Sequence, residues 1–148
     1  MKRLFVDTSA WIAIYDESDS LHEIALEWKE KLLLEKAIFV LSNHVFDETA
    51  TFLNVKVSNK LSVAFGDMVE ESIFVEMVHC PLELEREAWT LLKKYKDKPL
   101  SFTDYTSFVL MKEMQLKRVF TFDDDFEKIK MGFEIIPPVS LWKKKGRR

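Results

Sequence analysis

The chain has 148 residues, with 22 basic and 25 acidic side chains and a net charge of −3; this length predicts one domain. Hydrophobic residues make up 47% and charged residues 32%, a globular balance, and three glycines with four prolines are too few for a collagen, a low-complexity linker or a glycine-built phosphate loop. The single cysteine, Cys80, excludes an intrachain disulfide framework and any zinc site built from several cysteines, and no apolar run approaches the roughly 18–20 residues that span a membrane.

The N-terminal MKRLFV turns acidic at Asp7, too early for a signal-peptide core, so the chain reads as cytoplasmic with no membrane segment. Short apolar runs at residues 3–6, 37–41, 73–79, 118–122 and 134–136 predict strands covered on both faces. Between the first two, Leu21, Ile24, Ala25, Trp28 and Leu32 fall on one face of a helix over residues 21–35, with Ser20 and Glu23 spaced as a capping box. Ser42 and Asn43 are good N-caps for a helix over residues 44–57, and two more helices are expected at 61–71 and 82–95. Pro99 precedes a helix at about 103–115. A short one near 123–130 is ended by Gly132. This alternation predicts an α/β fold: a single domain whose central, mainly parallel sheet of about five strands is flanked by helices.

The net charge hides an asymmetry. The tail at residues 143–148 (KKKGRR) holds five positive charges, leaving 25 acidic against 17 basic residues in the domain expected over residues 1–142. Such a body lacks the broad basic face of a DNA-coating protein, and the tail reads as a solvated end.

Ligands of an open parallel sheet bind outside the carboxyl ends of its strands. Asp7-Thr8-Ser9 follows the first strand and Thr121-Phe122-Asp123 the fourth. The helix after the second strand carries Glu48, and Asp104 opens the helix after Pro99. Asp7, Glu48, Asp104 and Asp123 are therefore expected at one rim. Crowded carboxylates raise one another's pKa, and four together need a divalent cation. Oxygen-only donors select Mg²⁺, with Mn²⁺ as substitute, over zinc, and such an ion suits phosphodiester hydrolysis. Local explanations compete: Asp7 or Asp123 as an N-cap, Asp104 in a capping box with Ser101, Glu48 on a solvated helix face. Thr8, Ser9 and Thr121 are candidate hydroxyls for orienting a ligand or water, or simple backbone caps. In Asp123-Asp124-Asp125, a helix turning about 100° per residue swings Asp124 to solvent and leaves Asp125 to reach the site through water or a second ion.

The stretches FVDTSAW (5–11), SNHVFDETATFL (42–53), LSFTDYTSFVLM (100–111) and VFTFDDDF (119–126) resemble, in order, the four signature blocks of PIN domains. The resemblance is nearest to the small prokaryotic members that include VapC-type toxins. It implies a metal-dependent endoribonuclease, in such cases the toxin of a toxin–antitoxin pair. Asp7, Glu48, Asp104 and Asp123 take metal-site roles, and Asp125 stands where small relatives carry a further His or Asp. It also implies an RNA substrate, an antitoxin protein as partner and a homodimer. Two alternatives remain at this point: a receiver-like Mg²⁺-binding signalling module, and a PIN fold kept only for binding. His22, His44 and His79 show no zinc spacing and read as surface or core residues; Cys80 reads as a packing residue, and Trp28, Trp89 and Trp142 as core or dimer contacts.

Overall fold

A computed structural model describes residues 2–143. In chain order it contains β1 (Arg3–Val6), α1 (Thr8–Tyr15), α2 (His22–Leu34), β2 (Ile38–Ser42), α3 (Asn43–Phe52), α4 (Asn59–Glu71), β3 (Val75–Val78), α5 (Leu82–Lys94), α6 (Phe102–Glu113), β4 (Arg118–Phe120), α7 (Asp125–Lys128) and β5 (Glu134–Ile136). A wider π turn at Leu53–Val57 extends α3, and a short 3₁₀ turn at Val139–Leu141 follows β5. None of the described helices is long and apolar enough to cross a membrane.

The five strands form one sheet in the order β3-β2-β1-β4-β5, and every pairing is parallel. From β1 the chain builds outward through β2 and β3, then returns to β1's other side for β4 and β5. The direction of winding thus reverses between β1 and β4, and such a reversal opens a crevice at the strands' carboxyl ends. A receiver-like module follows the order 2-1-3-4-5, so the sheet order removes that alternative. Val6 pairs with Phe120, which brings β1 and β4 to a level finish. The Asp7 amide then donates to the Phe120 carbonyl at 3.0 Å.

Serine caps start two of the helices, the expected one at Ser42 and one at Ser58 that the sequence reading did not name. The Ser42 and Ser58 hydroxyls accept the Val45 and Leu61 amides at 3.1 and 3.2 Å. The expected Ser20–Glu23 capping box does not form. Instead, α2 starts at His22 with no side-chain cap, and the Asp19 carboxylate takes the Leu21 amide at 2.9 Å. A charged acceptor two residues upstream of that amide makes the local turn first. The helix α1 lacked a sequence signal because TSAWIAIY is apolar nearly throughout and shows no face-to-face contrast. The strand expected at 118–122 stops at Phe120, where Thr121 turns its hydroxyl toward Asp7.

Core side chains cover both faces of the sheet. Trp11 meets Phe39 and Phe65 edge-on, at centroid distances of 6.0 and 5.5 Å, while Phe108, Phe126 and Phe133 form a second aromatic cluster. Trp142 is a core residue, 1% exposed. Its ring lies 5.7 Å from Phe122, and its indole N–H donates to the Pro137 carbonyl at 2.9 Å. Trp28 packs partly against the core, whereas Trp89 is exposed. Of the basic tail, Lys143 pairs with Asp124 at 2.8 Å; residues 144–148 lie outside the described residues.

Trp142 packs against Phe122, the residue before Asp123, so its truncation should loosen the loop that carries Asp123. Trp142→Ala is expected to cost about 3–5 kcal/mol in urea unfolding, the range for a large buried aromatic. A loss below about 1 kcal/mol would mean that the chain end is not part of the cooperative core.

Candidate active site

A cavity of about 480 Å³ opens at the reversal between β1 and β4, lined by Asp7, Thr8, Ser9, Ile12, Asp19, Glu48, Phe52, Ser101, Asp104 and Asp123. The four carboxylates expected at one rim therefore share one cavity. Asp7 leaves the end of β1, Glu48 comes from α3, Asp104 from the first turn of α6, and Asp123 from the turn after β4. Asp19 lines the cavity too. It lies in the loop between α1 and α2, at no strand end, and nothing in its spacing marked it.

Asp7 is buried and held by hydroxyls rather than by cations. Thr121 and Ser9 donate to its Oδ2 at 3.0 and 3.1 Å. Those hydroxyls are fixed in turn: the Phe122 amide donates to Ser9 Oγ at 2.9 Å and the Asp123 amide to Thr121 Oγ1 at 3.0 Å. Of the three predicted supporting hydroxyls, Ser9 and Thr121 are thus built into the site. The Thr8 hydroxyl is buried at the cavity wall with no partner among the described residues. Asp7 does not cap α1 with its side chain, so that local explanation fails.

For Asp104 the local and functional readings coincide. Its carboxylate accepts the Ser101 amide at 3.2 Å and its amide donates to Ser101 Oγ at 3.0 Å, a complete capping box that aims the side chain into the cavity. One oxygen from each of Asp104, Asp123 and Asp125 lies within 4.8 Å of the other two. Asp125 is tied to Asp123 directly, its amide donating to Asp123 Oδ1 at 3.0 Å.

Asp124 corrects the sequence reading. It does not swing to solvent: it is 8% exposed and pairs with Lys128 at 3.4 Å and Lys143 at 2.8 Å. The expected helix starts two residues late, at Asp125, so Asp124 turns back against the chain end instead of outward. Burial opposes its ionisation, but the hydrogen bonds from Lys143 and Lys128 override this and hold the carboxyl below its ordinary range.

The other acids shift the opposite way. Burial, then the Asp123 and Glu48 charges, lift Asp7 to about 6 against the relief from Thr121. Burial and the charges of Asp7 and Asp123 lift Asp104 to about 8. Burial and its contact with Asp123 lift Asp125 to about 6. Among the described residues no cation forms a salt bridge with Asp7, Asp104 or Asp125 as Lys143 does with Asp124. Hard oxygen donors, an unpartnered cavity hydroxyl and carboxyls that resist ionisation together fit a hard divalent cation. A second groove of about 480 Å³ adjoins the cavity through Glu48 and Phe52 and is lined further by His44, Asp47, Thr51, Val55, Lys56 and Thr103.

Comparison with known proteins agrees with this fold. The PIN domain family model matches residues 4–131. The 23S rRNA-specific endonuclease VapC20 of Mycobacterium tuberculosis is 34% identical over 124 residues, 83% of this chain and 91% of that protein. The crystal structure of VapC20, described as a Sarcin-Ricin loop cleaving toxin, superposes with a TM-score of 0.76 at 32% identity, covering 86% of this chain and 95% of that one. VapBC2 from Rickettsia felis, solved bound to a DNA fragment from its promoter, superposes with a TM-score of 0.64 at 13% identity over 90% of this chain and 96% of that one, a likeness of fold alone.

The raised carboxyls make stability depend on pH with a definite sign. A folded-state pKa above the unfolded value stabilises fully below the unfolded value, and that contribution is lost as pH rises through the folded one. In EDTA the chain should therefore lose stability from about pH 4 upward, through about 6 for Asp7 and about 8 for Asp104. Asp7→Asn, neutral throughout, should melt higher than wild type at neutral pH in EDTA. The gain is up to about 3 kcal/mol, the equivalent of the rise from 3.8 to about 6. Mg²⁺ should raise wild type and leave the variant nearly unmoved. Parallel pH profiles for the two proteins would show that the acids do not feel one another.

Proposed function

This chain belongs to the PIN domain family, and from that premise we propose that it is a Mg²⁺- or Mn²⁺-dependent endoribonuclease, the toxin of a toxin–antitoxin pair, acting on structured ribosomal RNA. The observation that carries the reading is the convergence of Asp7, Glu48, Asp104 and Asp123 on one cavity at the strand-order reversal. The relative named as a 23S rRNA endonuclease supports the substrate class, and its toxin description supports an antitoxin protein as partner.

Asp7, Glu48, Asp104, Asp123 and Asp125 would hold the ion, the last two with Asp104 placing one oxygen each within 4.8 Å of one another. A divalent ion bound there supplies an activated water and neutralises charge on the phosphodiester. The chain's own part is positional. Ser9 and Thr121 keep the Asp7 carboxylate from rotating, and Asp125 keeps Asp123 turned toward Asp104. Before loading, the acids repel a phosphate, so RNA binding and metal binding are coupled. The adjoining groove, with Lys56 and Thr103, offers a strand a path to the cavity. Attack by water on phosphorus then leaves a 5′-phosphate and a 3′-hydroxyl.

Purified protein should cut ribosomal RNA with Mg²⁺ or Mn²⁺ and stop in EDTA. Asp7→Asn, Asp104→Asn and Asp123→Asn should each lower the rate by about a hundredfold or more, the scale for losing an electrostatic contact at the reacting centre. Asp124→Asn should retain cleavage and instead lose about 1 kcal/mol of stability, since its lysine partners are half exposed. Cleavage that survives in Asp7→Asn and Asp104→Asn would reject the site.

A homodimer is part of the same proposal. The apolar side chains Val55, Val57 and Val63, on the π turn and α4 that pack together, are left exposed for a partner copy. Sedimentation at micromolar concentration should give twice the chain mass; a monomer at that concentration would refute the pairing.

A further inference from the structure

The chain's one cysteine is not alone in space. A ring nitrogen of His44, Cys80 Sγ and a Glu85 carboxylate oxygen lie within 4.8 Å of one another, although no spacing in the sequence links them. We propose that His44, Cys80 and Glu85 form a second metal site, for a borderline-soft transition ion such as Zn²⁺. It is separate from the carboxylate cavity, although His44 also lines the groove that adjoins it.

Each donor sits on a fixed part of the backbone. His44 is the second residue of α3, whose start is held by the Ser42 cap. Beside it, Asn43 Oδ1 accepts the Cys80 amide at 2.7 Å, which pins the segment after β3 to the head of α3 and sets Cys80 next to His44. Glu85 lies in the first turn of α5, where its amide donates to the Pro81 carbonyl at 3.0 Å. The His44 ring is steadied edge-on against Phe102, 5.9 Å between centroids. Three elements distant in sequence thus present one nitrogen, one sulfur and one oxygen to a common point.

That donor set differs in kind from the all-oxygen cavity. Zn²⁺ takes imidazole nitrogen, thiolate sulfur and carboxylate oxygen in tetrahedral array, and three protein ligands leave a fourth position for water. The His44 and Glu85 side chains keep 23% and 31% exposure, so that position opens to solvent. Thiolate and imidazole favour ions of the zinc type, while carboxylates alone favour Mg²⁺, so the two sites sort metals by softness.

Without metal the donors satisfy each other, His44 Nε2 and Glu85 Oε2 standing 2.6 Å apart. Loading opens that contact. A ring nitrogen of His44 then offers its lone pair to the ion, and the Cys80 thiol proton passes to water. Burial, then the Glu85 charge, push that thiol up to about 11, and an ion must displace its proton to bind.

Co²⁺ is the probe, added to the whole protein in saturating Mg²⁺ so that the carboxylate cavity is filled. One Co²⁺ per chain should bring a near-ultraviolet thiolate-to-cobalt charge-transfer band and the strong visible bands of tetrahedral Co²⁺, and Zn²⁺ should bleach both. Cys80→Ser should lose the charge-transfer band. His44→Gln and Glu85→Gln should each weaken Co²⁺ binding by about tenfold or more, with circular dichroism confirming that they fold. Asp104→Asn should leave the band unchanged, which separates this site from the nuclease one. A wild type without the charge-transfer band, or a band indifferent to both His44→Gln and Glu85→Gln, would overturn the proposal.

Discussion

Mutual repulsion among carboxylates at the β1–β4 reversal is the constraint around which this structure is arranged. Like charges brought together in a partly dry cavity cost several kcal/mol unless protonated or matched by a cation. The fold holds them there with backbone geometry. The level finish of two parallel strands sets Asp7 beside Thr121, and the resulting hydroxyl network locks the acid without neutralising it. The free energy for this comes from elsewhere, from an aromatic core that reaches both faces of the sheet. A site strained in isolation and relieved by its ligand is a common arrangement where function and stability compete.

Three consecutive acids show how finely position decides chemistry. Asp123 turns into the cavity and Asp125 stays beside it, its carboxyl raised to about 6. Asp124, between them, turns back to Lys128 and Lys143 and is held ionised. The same residue type therefore serves as site ligand, site neighbour and structural tie within one turn of chain. Asp104 shows the converse economy: one carboxylate both closes a capping box and faces the site, so the start of α6 and the placement of the acid are a single feature.

The helix α3 is common to both proposed metal sites. His44 and Glu48, four residues apart, lie along one side of it, with Glu48 in the carboxylate cavity and His44 beside Cys80 and Glu85. An ion at the second site would tie α3 to α5 through the segment after β3, and so bear on the element that carries Glu48. Rigid support of that kind is what a site with few directional contacts of its own requires.

The alternation of apolar runs with amphipathic stretches was enough to identify an α/β fold, because a continuous apolar run and a 3.6-residue period are local properties of the chain. Asp7, Glu48, Asp104 and Asp123 were legible for a related reason: three follow a strand or open a helix, Glu48 lies about one turn into the helix after β2, and strand ends of a parallel sheet share one edge. Local pattern did not reveal α1, whose residues are apolar all round, or Asp19, which sits at no element boundary. Nor did it reveal the burial of Asp124, since a lysine nineteen residues away decides which way that side chain turns. The meeting of His44, Cys80 and Glu85 was equally hidden. Their proximity arises only when β3 pairs with β2 and Asn43 takes the Cys80 amide, contacts between residues far apart in the chain. What the sequence determined by itself was periodicity and the residues at element ends; which side chains stand face to face was decided by tertiary structure, because strand order and helix packing are long-range contacts that no local window contains.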